Sequence, residues 1–416
     1  MQRPLRFLAA ALVAALASPA LATNGMRMTG FGAVQNGMGG VGVGATLDSN
    51  AVVSNPAGIS ELGRRFDASV TWFQPTVEYS ASGAGAPYVN QSGVTFKSNR
   101  GGSPIPNLGV ILPLGLGFTA GVGAYGVGGM GVDYAANLYS GATVTSYQNL
   151  RLAPAIAFKV DEVFSVGVAF NLSWAQMKYD VASGFGQQAH DTSNAFGQGV
   201  TVGIKLNPSK AVSIGLAYET RTTFGDFKFD IPAHTGMTPA GPYPFPGGTD
   251  RLAFDQPSVA SAGVAVRVLP PLLVAADVQF IGWSKTNGVN RPAFTSNTQL
   301  TGSMPFNMSW SDQVVVKVGA EYEAMPGLKI RAGWNRGKNP LDPSRAFENI
   351  AFPAIAEQHV SLGAGYALTD ALALNAGITY APKVTISGAN AAEQGITGYQ
   401  TSMSQLSGDL GVAWKF

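Results

Sequence analysis

Val163-Phe164-Ser165-Val166-Gly167-Val168-Ala169-Phe170-Asn171-Leu172-Ser173-Trp174 alternates without a break. Phe164, Val166, Val168, Phe170, Leu172 and Trp174 fall on one side, and Ser165, Gly167, Ala169, Asn171 and Ser173 on the other. Successive side chains leave a pleated strand on opposite faces, so a period of two marks a β-strand with one apolar face. The same alternation runs through residues 196–206, 212–218, 314–322, 328–334 and 360–368. It closes the chain with Leu406, Gly408, Leu410, Val412, Trp414 and Phe416.

Two architectures read this way. In a soluble sandwich the apolar face packs inward; in a transmembrane barrel it meets lipid while small polar residues line a lumen. Three features favour the barrel. Many segments reach the roughly 10 residues needed to cross a bilayer obliquely. Connections alternate between long and tight, the tight ones being Pro113-Leu114-Gly115, Asp161-Glu162, Asn207-Pro208-Ser209-Lys210, Pro270-Pro271, Met325-Pro326-Gly327 and Thr369-Asp370. Phe158, Phe164, Trp174, Tyr218, Trp334, Tyr366, Tyr380 and Trp414 sit near strand ends on the apolar face, as interfacial girdles do.

Composition agrees. Of 416 residues only 12% are charged, about half the usual share and too few to coat a soluble protein this size. With 46% hydrophobic residues the chain is not disordered. A net charge of +2 without a Lys/Arg cluster excludes a nucleic-acid surface. The absence of cysteine excludes disulfides and thiolate metal sites. Residues 108–127 are apolar enough to suggest a spanning helix, but Pro113 and the recurring glycines suit one poorly.

The expectation is an all-β protein, a 14-stranded antiparallel transmembrane β-barrel over residues 64–416. Its strands begin near 66, 104, 115, 143, 163, 194, 211, 250, 272, 312, 328, 355, 371 and 406. An even number puts both termini on the periplasmic side. Residues 1–22 read as a signal peptide: Arg3 and Arg6, an apolar run from Phe7 to Leu16, then Ala20-Leu21-Ala22. Residues 23–63 break the strand pattern. Their glycines suit a flexible tail, whereas Met26, Met28, Phe31, Val34, Met38, Val41 and Leu47 suit a compact plug in a lumen too wide for side chains alone to fill.

Several residues together resemble the FadL/TodX family of outer-membrane channels for hydrophobic compounds. They are Asn55-Pro56-Ala57, Pro75, Ile105-Pro106-Asn107-Leu108, Tyr125-Gly126, Ala217-Tyr218-Glu219-Thr220-Arg221, and Arg331-Ala332-Gly333 followed by Pro340. The resemblance implies a barrel plugged by an N-terminal hatch that ends at Asn55, Pro56 and Ala57. It further implies a kink at Tyr125 and Gly126 that opens the wall sideways into outer-membrane lipid. The segment 181–193 departs from the pattern, being short where fatty-acid members carry a long insertion. Residues 231–248 keep Ile231, Met237, Tyr243 and Phe245 for a shallow apolar landing site.

The chemistry-bearing residues are few. By alternation Arg151, Lys205, Glu219, Arg221, Arg267, Asp277, Lys317, Glu321, Lys329, Arg331 and Glu357 point inward. Most suit ion-pair ladders, while Arg331 and Arg221 are the candidates for binding a ligand carboxylate, which guanidinium matches bidentately. His190 and His234 fall in expected external loops. His359 beside Glu357 lacks the nucleophile and oxyanion site an enzyme needs. No metal or cofactor is expected. The reading is passive transport of a hydrophobic small molecule, long-chain fatty acids first, by a monomer that barrel assembly machinery recognises through the C-terminal Phe416. Uptake of aromatic hydrocarbons such as toluene, a hydrophilic porin and an enzyme are the alternatives, in falling order.

Overall fold

The computed structural model describes residues 24–82, 93–134, 142–183, 186–238, 241–289, 291–295, 303–305, 307–388 and 398–416. The expected signal peptide lies outside the described residues. Fourteen long strands form the wall. They are β1 (Arg65–Ser82), β2 (Ser103–Gly115), β3 (Phe118–Met130), β4 (Thr143–Lys159), β5 (Phe164–Ser183), β6 (Gly186–Ser209) and β7 (Val212–Glu219), followed by β8 (Val259–Leu269), β9 (Leu272–Ile281), β10 (Gln313–Met325), β11 (Leu328–Gly337), β12 (Gln358–Ala367), β13 (Leu372–Gly388) and β14 (Gly398–Lys415). Each pairs antiparallel with its neighbours, and β1 meets β14 from Arg65↔Lys415 to Ser82↔Gly398, which closes the barrel and removes both sheet edges.

The six tight turns stand at one end, as expected from their sequence, and both chain ends of the barrel lie there too. Alternation fixes which face meets lipid. On β10, Val314, Val316 and Val318 are exposed while Gln313, Val315, Lys317 and Glu321 are buried. Tyr218, Trp334, Tyr366, Tyr380 and Trp414 are exposed on the outer face, where girdle residues belong.

Three expected boundaries move. β6 begins at Gly186 and β14 at Gly398, earlier than expected, because both strands run past the apolar band as hydrogen-bonded extensions that carry polar residues. The expected loop 181–193 is therefore mostly the end of a long β5–β6 hairpin paired as far as Ser183↔Gly186. β8 begins at Val259, not near 250, because residues 248–253 pair instead with Phe227–Ile231 in a separate external sheet. In the expected landing segment, His234–Thr238 and Gly241–Phe245 form a hairpin.

Residues 24–63 fold inside the barrel. A helix, α1 (Gly32–Gly37), a short turn of helix, α2 (Ala51–Ser54), and the 3-10 helix Pro56–Glu61 are almost wholly buried. Where the plug presses closest, the wall carries glycine. A β-carbon on Gly167 would lie 2.5 Å from Ala57 N, and one on Gly263 would lie 2.5 Å from Gly44 N. Gly203, Gly319, Gly333 and Gly363 meet the same segment on other strands. Glycine lets backbone approach backbone, so a belt of inward glycines makes room for the plug.

Candidate functional site

The lumen is divided by height. Near the tight turns, charged side chains of the wall hold the plug. The Asp277 carboxylate accepts hydrogen bonds from the backbone N–H of Gly42, Val43 and Gly44 at 2.7, 2.9 and 3.2 Å. Lys317 Nζ donates to Thr29 O at 2.6 Å, and Lys205 Nζ donates to Gly44 O at 2.7 Å. Asn55 donates to Val43 O and Ile204 O and accepts from Ala57 N, so Asn55-Pro56-Ala57 caps its own helix and ties the plug to β6. Charge-assisted hydrogen bonds are stronger than neutral ones, so these contacts resist casual loosening.

The opposite half of the lumen is apolar. Phe73, Tyr79, Ile105, Tyr147, Met177, Tyr179, Val315, Ile386 and Tyr399 point inward from seven strands and belong to one buried cluster. Met26 of the plug reaches the bottom of that cluster. Alternation gives only direction, and the change from polar to apolar along one inward face was not anticipated from sequence.

The two halves meet at the break in β3. Pairing between β2 and β3 stops at Asn107↔Tyr125, and the β3–β4 register shifts between Gly126 and Gly128. Beyond Tyr125 the edge of β3 is therefore free of β2. The plug takes that edge: Met28 N donates to Val127 O at 3.3 Å, and Gly129 N donates to Met26 O at 3.0 Å. A β-carbon on Gly126 would run into the Ile105 side chain across the break. Tyr125 OH donates to Ser49 O at 3.2 Å, which ties the foot of the break to the plug. A concavity of about 840 Å³ adjoins it, lined by Pro106, Ala124, Leu152, Leu172 and Trp174 together with Tyr125, Arg151 and Ser173.

One ion cluster stands beside this break. Arg27 of the plug grips Glu219 with two hydrogen bonds, at 3.1 and 2.7 Å. Arg151 Nη2 reaches the same carboxylate at 2.7 Å. Two guanidiniums thus share one carboxylate, leaving an excess positive charge out of water. Arg151 Nε and Nη1, fully buried, have no protein partner, nor has the neighbouring Ser173 Oγ. A buried charge without compensation is costly, so the cluster favours an anion.

Of the arginines singled out from sequence, Arg331 points inward near the tight turns, with Nε 2.8 Å from Glu321 and Nη1 3.0 Å from Asn375. Arg221 does not point inward. β7 ends at Glu219, alternation lapses, and Arg221 is half exposed and 3.2 Å from Asp255. The structure brings neither to the break. Arg151 and Glu219 were legible as inward charges; Arg27 was missed because nothing local marks where a plug residue will dock. Arg267 and Lys329, also expected inside, stand exposed near the tight turns. His190 lies on β6 against Asp250, 2.8 Å away, and His359 against Asn335; the side chain of His234 is outside the described residues. Among the described residues no group of side chains could hold a metal ion.

A closed barrel with an apolar outer band, a plugged lumen and an interrupted wall defines an outer-membrane channel for hydrophobic compounds. Residues 10–413 match the family described as "Outer membrane protein transport protein (OMPP1/FadL/TodX)", and the chain belongs to it. That family consists of transport channels, not enzymes. Among solved structures the fold resembles the toluene transporter TodX of P. putida, with a TM-score of 0.77 and 19% identity over 93% of this chain and 99% of that one. A FadL homologue of Pseudomonas aeruginosa gives 0.75 and 17% over 94% and 100%. The Ralstonia pickettii toluene transporter TbuX gives 0.71 and 18% over 93% and 99%. No curated protein matches the chain.

Proposed function

We propose that the channel carries long-chain fatty acids, which cross the apolar lumen, pause at Arg151 and leave sideways past Gly126 into the outer leaflet. The observation that carries this reading is the apolar lumen ending at a buried guanidinium with two unpartnered nitrogens, beside a break in the wall. An apolar chain suits the first and a carboxylate the second. A carboxylate at Arg151 competes with Glu219, and loss of Glu219 frees Arg27, whose neighbours Met26 and Met28 cover the break. Residues 23–63 thus act as a hatch that ligand binding unlocks. In this reading Arg331 and Arg221 serve only if they release Glu321 and Asp255. Transport runs on partitioning alone. In this proposal the working unit is the monomer, and residues 1–22 are its signal peptide. Phe416, half exposed beside Trp414, presents the signal to the barrel assembly machinery.

Uptake of aromatic hydrocarbons is the second reading, favoured by the aromatic side chains of the lumen and by the toluene transporters among its structural relatives. Uptake of labelled oleate and labelled toluene by Gram-negative cells lacking their own channel separates the two. Oleate uptake that requires Arg151 supports the first reading; toluene uptake alone supports the second.

A further inference from the structure

The connection between β11 and β12 does not stay outside. Its residues 346–356, Ala-Phe-Glu-Asn-Ile-Ala-Phe-Pro-Ala-Ile-Ala, turn back into the apolar half of the lumen, where Phe352 and Ile355 are wholly buried. They cross to the far wall. Thr145 on β4 donates from Oγ1 to Ala351 O at 2.6 Å, and the Phe352 ring lies 5.9 Å from that of Tyr179 on β5. β4 and β5 stand seven strands from β11 and β12 in a closed ring of fourteen, so the segment spans the full width of the lumen. On a third side Phe347 meets Tyr399 of β14 at 5.4 Å.

We infer that residues 346–356 form a second, external gate, a bar that fills the ligand's route and is displaced by the incoming molecule. The bar is anchored at its root: Trp310 Nε1 donates to Asn349 Oδ1 at 2.7 Å, and Asn349 Nδ2 donates to Met308 O at 2.9 Å. Across the lumen it is held largely by aromatic and aliphatic contact, which a hydrophobic ligand can replace surface for surface. An apolar ligand therefore has a differential affinity for the opened arrangement, as any ligand that shifts a conformational equilibrium must. Phe352, packed against Tyr179 and Phe254, stands where a ring or a stretch of alkyl chain would pass. The inference rests on the lumen being the ligand's route, as in the proposed function.

Because the chain has no cysteine, thiols can be placed singly. Ala351→Cys in intact cells should resist a membrane-impermeant maleimide in buffer and label severalfold faster with oleate or toluene present. Thr145→Cys/Ala351→Cys, bridged through two disulfides by a short bis-methanethiosulfonate and checked by mass spectrometry, should lose at least tenfold in uptake and recover on reduction. Either single variant given the same reagent should keep its uptake. Labelling indifferent to both ligands, or undiminished uptake by the bridged protein, overturns the gate and leaves the channel reading standing. An unbridged channel that takes up neither compound overturns the channel reading itself, and the gate with it.

Discussion

Arg151 and Arg331 are both buried guanidiniums facing the lumen, with different surroundings. Arg331 pairs with Glu321, which also takes Lys329, and with Asn375, whereas Arg151 shares Glu219 with Arg27 and keeps two guanidinium nitrogens unpaired. A hydrogen bond to a charged group contributes about 1.5–3 kcal/mol, so Arg151→Gln should cut oleate uptake by roughly tenfold or more and spare toluene. Arg331→Ala should reduce uptake of both equally, through a loosened barrel; transport assays with the two compounds decide. Asp48 of the hatch gives a prediction in pH. Burial, followed by the nearby Asp67 carboxylate, pushes its carboxyl up to about 7. A carboxyl raised above its unfolded value stabilises the docked hatch while protonated. That contribution is full below about pH 4 and is lost as pH rises through about 7. Protection of the amides of residues 46–54 from hydrogen exchange, taken relative to their intrinsic rates at each pH, should be greater at pH 5 than at pH 8, and Asp48→Asn should remove much of that difference.

Among the elements, β3 does the most with the least side chain. Its edge is free of β2 beyond Tyr125 because Gly126, Gly128 and Gly129 supply no cross-strand side-chain pairs to hold the two strands together. A bulky residue at 126 would wedge against Ile105 inside the break. Gly126→Trp should therefore fold, as heat-modifiable gel mobility reports, yet lose most uptake; normal uptake would remove the lateral exit. The glycine belt makes the converse case. Gly333→Leu drives a side chain into the backbone at Met38 and Gly39, so limited proteolysis should find the hatch undocked in an intact barrel. The strands themselves were legible because each carries its own period, and the six tight turns because proline, glycine and aspartate mark them locally. Alternation also turned Arg151, Lys205, Asp277 and Lys317 inward correctly. It failed at Arg221, two residues past the end of β7, and at Arg267 and Lys329 near the tight turns. The belt was not legible, since an inward glycine looks the same in a strand whether or not a plug lies against it.

At the scale of the molecule, two obstructions stand in series within one tube. The hatch is tied by ions and backbone near the tight turns, and residues 346–356 lie across the apolar half. Sequence showed the first as a stretch too apolar for a solvated tail. It gave no sign of the second, because a loop that folds inward is recognised only by the distant strands it touches. Among the described residues, buried side chains fill the tube at both levels. Planar bilayers containing the purified channel should stay near the conductance of bare lipid, so a cell could carry many copies without surrendering the sieving its outer membrane performs against polar antibiotics.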